Sequence, residues 1–176
     1  TVVNSWNDFD PLKHVIVGRA DFTCIPPSAA ATEANVPEVS DMRGMLGPRP
    51  LATVERANAQ LDHLVNLLES RGVRVDRPEP IQWNQAVTTP DFSTGSMFGC
   101  MPPRDVLLTV GKEMLSAPMS FRCRYWEFLA YHSLMQRYFD DDPGFLWEQA
   151  PRPRLSDLSY QSVYFDEITI EERLQR

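Results

Sequence analysis

Five uncharged residues, Val106-Leu107-Leu108-Thr109-Val110, rise out of a loop rich in Gly, Pro and Met and end at Gly111. An apolar run this short, closed by turn formers, fits a buried strand and little else. Gly111-Lys112-Glu113 then reads as a turn into a partner strand over residues 114–116. Directly before the run stands the pair Arg104-Asp105. A carboxylate at the mouth of a strand suits the grip of a planar cation, because guanidinium N–H groups match a carboxylate in bidentate geometry. If the strand period extends back to this pair, Arg104 and Asp105 face opposite sides and need not quench each other.

Short strands and helical patterns alternate along the rest of the chain. Residues 13–20 form an apolar run after Pro11, read as a buried strand. Residues 21–50, broken by prolines, read as one long loop, and a loop of that length is usually functional. Over residues 54–71, Ala57, Leu61, Leu64, Val65 and Leu68 recur at helical spacing, with Gly72 as the C-terminal stop. Residues 73–75 read as a strand, 121–139 as a helix with a broad apolar stripe, and 145–147 as a short strand. The order suggests one and a half to two β-β-α-β units. Such units leave sheet faces uncovered, so more of them are expected.

Composition narrows the class. The 176 residues carry 24 acidic and 17 basic side chains, a net charge of −7, which argues against nucleic acid or an anionic membrane surface as partner. Cys24, Cys100 and Cys123 are too few and too scattered for a disulfide framework, and no metal-binding Cys/His spacing occurs. With no apolar run of membrane length and no signal-peptide pattern, a cytoplasmic setting is expected. The chain starts Thr1-Val2-Val3 and ends in a charged segment. It reads as an internal piece of a longer protein, a single domain over residues 1–176 that is incomplete at both ends.

The motifs at residues 4–20 (NSWNDFDPLKHVIVGRA), 74–84 (RVDRPEPIQWN), 89–92 (TPDF), 101–128 (MPPRDVLLTVGKEMLSAPMSFRCRYWEF) and 150–157 (APRPRLSD) resemble the N-terminal half of the amidinotransferases. The wording resembles most the cyanobacterial toxin-pathway branch, of saxitoxin type. The resemblance implies an α/β fold, a five-module α/β propeller of β-β-α-β repeats of which about two modules are present. It also implies transfer of the amidino group of L-arginine to an acceptor amine through a covalent amidino-Cys intermediate, without metal or cofactor. A homodimer is the assembly it suggests for the full-length protein. The family's catalytic Asp, His and Cys lie in EPxFDAA-, HxD- and GGFHC-like stretches that do not occur here. No catalytic residue is therefore assigned, and the chain alone is expected to be inert. Of the family's substrate-contacting residues, the Asp of the PRD motif maps onto Asp105; Pro102-Pro103 before it departs from the usual single Pro.

From spacing alone, a solvated or turn-capping Asp105 is the commoner outcome; the family motif reverses that weighing. Arg104 reads as a structural tie to a neighbouring loop, and Asp91 as a turn residue. Met101 and Phe98 could wall an arginine stem, although core packing is their usual fate. Cys100 is rejected as nucleophile because no His accompanies it in sequence. Cys24 and Cys123 read as buried small residues, His14, His63 and His132 as surface or helix-face histidines, and the acidic runs at 139–143 and 166–172 as solvated faces.

Overall fold

The computed structural model describes residues 1–27 and 45–157. Strand β1 (His14–Ile16) lies parallel to β4 (Arg74–Asp76), with His14 opposite Arg74 and Ile16 opposite Asp76. Parallel neighbours need a crossover, and helix α1 (Leu51–Glu69) supplies it, packing on β4. The helix begins three residues before the expected start because Pro50 can cap it: the Pro50 carbonyl accepts from Thr53 and Val54 N–H. It ends at Glu69, two residues before the expected Arg71, with Gly72 as the expected stop. Gly72 takes φ +78°, and Gly72 and Val73 N–H return to the Glu69 and Leu68 carbonyls. Val54, Ala57, Leu61, Val65 and Leu68 form its half-buried stripe.

The expected loop over 21–50 contains structure. Strand β2 (Cys24–Ile25) pairs antiparallel with β3 (Gly47–Pro48), which ties together the two ends of the segment. A small hairpin follows, β5 (Val87–Thr88) with β6 (Ser93–Thr94).

The second half holds one complete β-β-α-β unit. A single helical turn α2 (Pro103–Val106) runs into β7 (Leu107–Val110), which pairs antiparallel with β8 (Glu113–Ser116). Gly111 makes the turn at φ +60°, with Trp6 packed over its α-carbon. Strand β9 (Leu146–Gln149) returns parallel to β8, giving the order β7-β8-β9. The helix predicted over 121–139 is not continuous. Residues Arg122–Arg124 and Glu127–Tyr131 form 3-10 turns, and α-helix α3 begins only at His132 and ends at Asp141. Tyr125, Trp126 and Phe128 are bulky and lose side-chain freedom in a helix. They pack here as an aromatic cluster instead, with ring centroids 5.1 Å and 5.9 Å apart.

Beneath these elements lies one core, with Trp83, Val106, Tyr131, Met135, Tyr138 and Phe145 essentially inaccessible. Full burial of a side chain of this size contributes about 1.5–3 kcal/mol, so the α2–β7 junction and α3 are anchored by their apolar faces. Among the described residues no helix is long and apolar enough to cross a membrane.

Candidate functional site

Asp105 sits on α2. Pro102 caps this turn and Pro103 occupies its first position, where a missing N–H costs nothing. The turn therefore extends through Val106, and the strand starts one residue later than expected. This corrects the alternation argument for Arg104 and Asp105. On a helical turn the two are not on opposite faces, and Arg104 Nε lies 3.8 Å from Asp105 Oδ1. Arg104 is otherwise 92 % exposed, so the structure does not bear out a tie to a neighbouring loop.

The segment leading into α2 is fixed from three directions. Gly18 presses against the Cys100 and Met101 backbone, with no room for a β-carbon. Arg19 forms a bridge with Cys100. The Tyr131 hydroxyl, buried, donates to the Cys100 carbonyl at 2.7 Å. Asp105 is thus presented on main chain that has little freedom to move.

Its side chain, one-third exposed, meets Arg124: Nη2 lies 3.0 Å from Asp105 Oδ2. Arg124 in turn grips Glu127 at two points, Nε to Oε1 at 2.8 Å and Nη2 to Oε2 at 2.7 Å. The Glu127 side chain is fully enclosed. Burial pushes its carboxyl up to about 7, against the opposing pull of the Arg124 hydrogen bonds. Burial also works against the Arg124 charge, but the hydrogen bonds and charges of Glu127 and Asp105 outweigh it and hold that guanidinium firmly protonated. The face of Arg124 covers the Phe98 ring at 5.5 Å, and Arg49 lies 6.0 Å from the same centroid. Neither Phe98, half-buried against these guanidinium groups, nor Met101, exposed, takes the core position that is usual for such residues.

Sequence reasoning missed Arg124 and Glu127. Their signal was present as an opposite-charge pair at i, i+3 among aromatic residues, a setting in which an unpaired charge is too costly to leave buried.

The three thiols are poor nucleophiles. Cys24, Cys100 and Cys123 are all buried and unpaired. Burial raises all three, Cys100 to about 12 and Cys123 to about 11. Cys100 Sγ points to the Arg19 carbonyl at 3.7 Å. The rejection of Cys100 agrees with this geometry.

Asp91 does lie in a turn, between β5 and β6, with its N–H on Thr89 Oγ1 and its carboxylate paired with Arg154. Arg154 belongs to a strap over residues 150–157 that three arginines fasten. Arg122 donates to the Leu155 carbonyl, and Arg152 donates to the Tyr125 carbonyl while lying 3.7 Å from the Phe128 centroid. His63 and His132 are exposed, as expected. His14 is not a simple surface residue. Its Nε2 lies 2.7 Å from Asp76 Oδ2, which also accepts from the Tyr138 hydroxyl at 2.6 Å. Burial acts to raise Asp76, but hydrogen bonds from Tyr138 and His14 and the Arg74 charge outweigh it and depress its carboxyl below the usual range. Of the acidic runs, Asp140 and Asp141 are exposed, while 166–172 lies outside the described residues. A groove of ≈ 1140 Å³ runs past Val2, His14, Arg74 and Leu107 to Arg104, and Asp105 is not among its walls. No group of three or more metal-binding side chains occurs among the described residues.

No protein-family model matches the chain. Individual proteins do. Glycine amidinotransferase, mitochondrial, of Danio rerio is 39 % identical over 163 residues, covering 90 % of this chain and 37 % of the relative. L-arginine:L-lysine amidinotransferase of Pseudomonas savastanoi pv. phaseolicola is 38 % identical over 161 residues, 90 % of this chain and 44 % of the relative. Among solved structures, SxtG, an amidinotransferase from Microseira wollei in the saxitoxin biosynthetic pathway, superposes with TM-score 0.78 and 32 % identity. That match covers 93 % of this chain and 46 % of the other. The chain thus spans less than half the length of the proteins it matches. The small α/β sheets of this chain are thus a fold it shares with solved amidinotransferases. Over the stretch it shares with these relatives, the chain belongs to the amidinotransferase family.

Proposed function

We propose that this chain forms the arginine-holding part of an amidinotransferase, which moves the amidino group of L-arginine to an acceptor amine. The observation that carries the reading is the match over nine-tenths of the chain, in sequence and in fold, to amidinotransferases with different acceptors in their names. The geometry supports it at Asp105, a partly exposed carboxylate already engaged with one guanidinium, that of Arg124. In this reading Asp105 holds the substrate's guanidinium in the same manner. A Cys thiolate then attacks the guanidinium carbon, ornithine leaves, and the acceptor amine displaces the covalent amidino group. The buried, proton-holding thiols of Cys24, Cys100 and Cys123 support a nucleophile supplied from outside these residues.

The β7-β8-α3-β9 unit, together with the β1-α1-β4 crossover, supports about two modules of an α/β propeller. A toxin-pathway acceptor, a homodimer and a cytoplasmic setting belong to the same reading.

The test uses the full-length protein carrying this sequence, incubated with L-arginine and candidate amines. Ornithine and a new guanidino compound are the expected products; citrulline and ammonia would replace transfer by hydrolysis. Asp105→Asn removes one charge-assisted hydrogen bond, worth about 1.5–3 kcal/mol. It should raise KM for arginine roughly 10- to 100-fold. An unchanged KM would remove Asp105 from the substrate site.

A further inference from the structure

We infer that Arg124, clamped by buried Glu127, is the positioning residue that sets the orientation of the Asp105 carboxylate for its ligand. This rests on the arginine reading above and adds to it the residues that aim the carboxylate.

The Nε hydrogen of Arg124 and one Nη2 hydrogen are taken by Glu127, at 2.8 Å and 2.7 Å. That two-point clasp on an enclosed carboxylate fixes the guanidinium plane. The same Nη2 then lies 3.0 Å from Asp105 Oδ2, an ion pair whose position the clasp sets. The Phe98 ring against the guanidinium face removes tilting as an alternative. The carboxylate is held by one oxygen from the interior. The other oxygen, Oδ1, faces Arg104 Nε at 3.8 Å, on an arm that is 92 % exposed and free to swing aside. A carboxylate held on one oxygen and open on the other is set to receive an incoming guanidinium at a defined angle, and that is the condition for productive placement of its carbon. Arg124 touches Asp105 and not the ligand, so it acts through another residue.

A purely structural role predicts different behaviour, and two variants of the full-length protein separate the cases. Arg124→Lys keeps the charge and loses the fork. The double variant Arg124→Met with Glu127→Leu removes both buried charges at similar volume, which keeps the interior satisfied. Thermal melting reports the fold, calorimetric titration with L-arginine reports binding, and turnover gives KM and kcat separately. The expected result is a roughly tenfold weaker arginine Kd and KM in both variants, kcat within about threefold of wild type, and a melting temperature recovered in the double variant. A double variant that melts and binds arginine like wild type overturns the inference alone. A single Arg124→Lys variant that fails to fold leaves the double variant to decide. A wild-type protein that binds no arginine overturns both this inference and the reading beneath it.

Discussion

Replacing Gly18 by alanine tests how Asp105 comes to be presented at all. A β-carbon there would lie 2.0 Å from the Met101 carbonyl oxygen, 2.5 Å from its carbon and 2.6 Å from the Cys100 oxygen. Carbon and oxygen sit comfortably only beyond about 3.3 Å, so the two backbones must part by roughly 1.3 Å. Main chain faces the new methyl on that side, and no rotamer change can absorb it. Parting them strains the Arg19–Cys100 bridge and the Tyr131 bond to the Cys100 carbonyl. Overpacking costs about 1–3 kcal/mol, and a buried carbonyl left without its donor about 1–3 kcal/mol more. The stiffer unfolded chain offsets about 0.4–1 kcal/mol. The net expectation is about 3–4 kcal/mol. In a chain of this size that lowers the melting temperature by about 10 °C, read by circular dichroism and urea unfolding. Gly95→Ala is the control, since its β-carbon would meet only Pro27 Cγ, at 3.5 Å. A Gly18→Ala protein melting within a degree or so of that control would refute the close-approach argument.

Two further expectations concern charge and reactivity. Glu127 is raised to about 7 in the fold, against about 4.3 in an unfolded chain. The folded state therefore holds its proton more tightly. The stability it contributes is full below the unfolded value and is lost as pH rises through 7, by about 4 kcal/mol at most. Urea midpoints measured from pH 5 to 8 should fall more steeply for wild type than for Glu127→Gln; parallel profiles would contradict the assignment. Cys24, Cys100 and Cys123 should resist a thiol reagent in the folded 176-residue chain and react fully in denaturant. Rapid native labelling of any of the three would reopen the question of a nucleophile within these residues.

Much of the fold was legible because it follows from local chemistry. Gly72 after a 3.6-residue stripe stops α1, and Gly111 between two apolar runs makes the β7–β8 turn. What escaped depends on distant partners. The 3-10 turns at 122–131 arise because Arg124 must reach Glu127 and Asp105 while Tyr125, Trp126 and Phe128 pack as a cluster, and apolar spacing carries no record of that. The β2–β3 pair inside the supposed loop is two residues long on each side, below the length at which alternation can be read. At the site, the PRD motif supplied Asp105 but not its orientation. Pro102-Pro103, read as a small departure, builds the turn that places Arg104 and Asp105 side by side. His14 was undervalued because its partners Asp76 and Tyr138 lie 62 and 124 residues away.

The convergence on Cys100 and Met101 also bears on how such proteins can be recombined. Gly18, Arg19 and Tyr131 come from separate parts of the chain and meet at that one short stretch of main chain. A chimera that imports the segment around Asp105 from a relative inherits a fitted junction only if the exit of β1 and the turn around Tyr131 travel with it. Crossovers placed between those pieces would divide a joint whose halves were shaped to each other. A domain-shuffling experiment would then select for exchange of the three together.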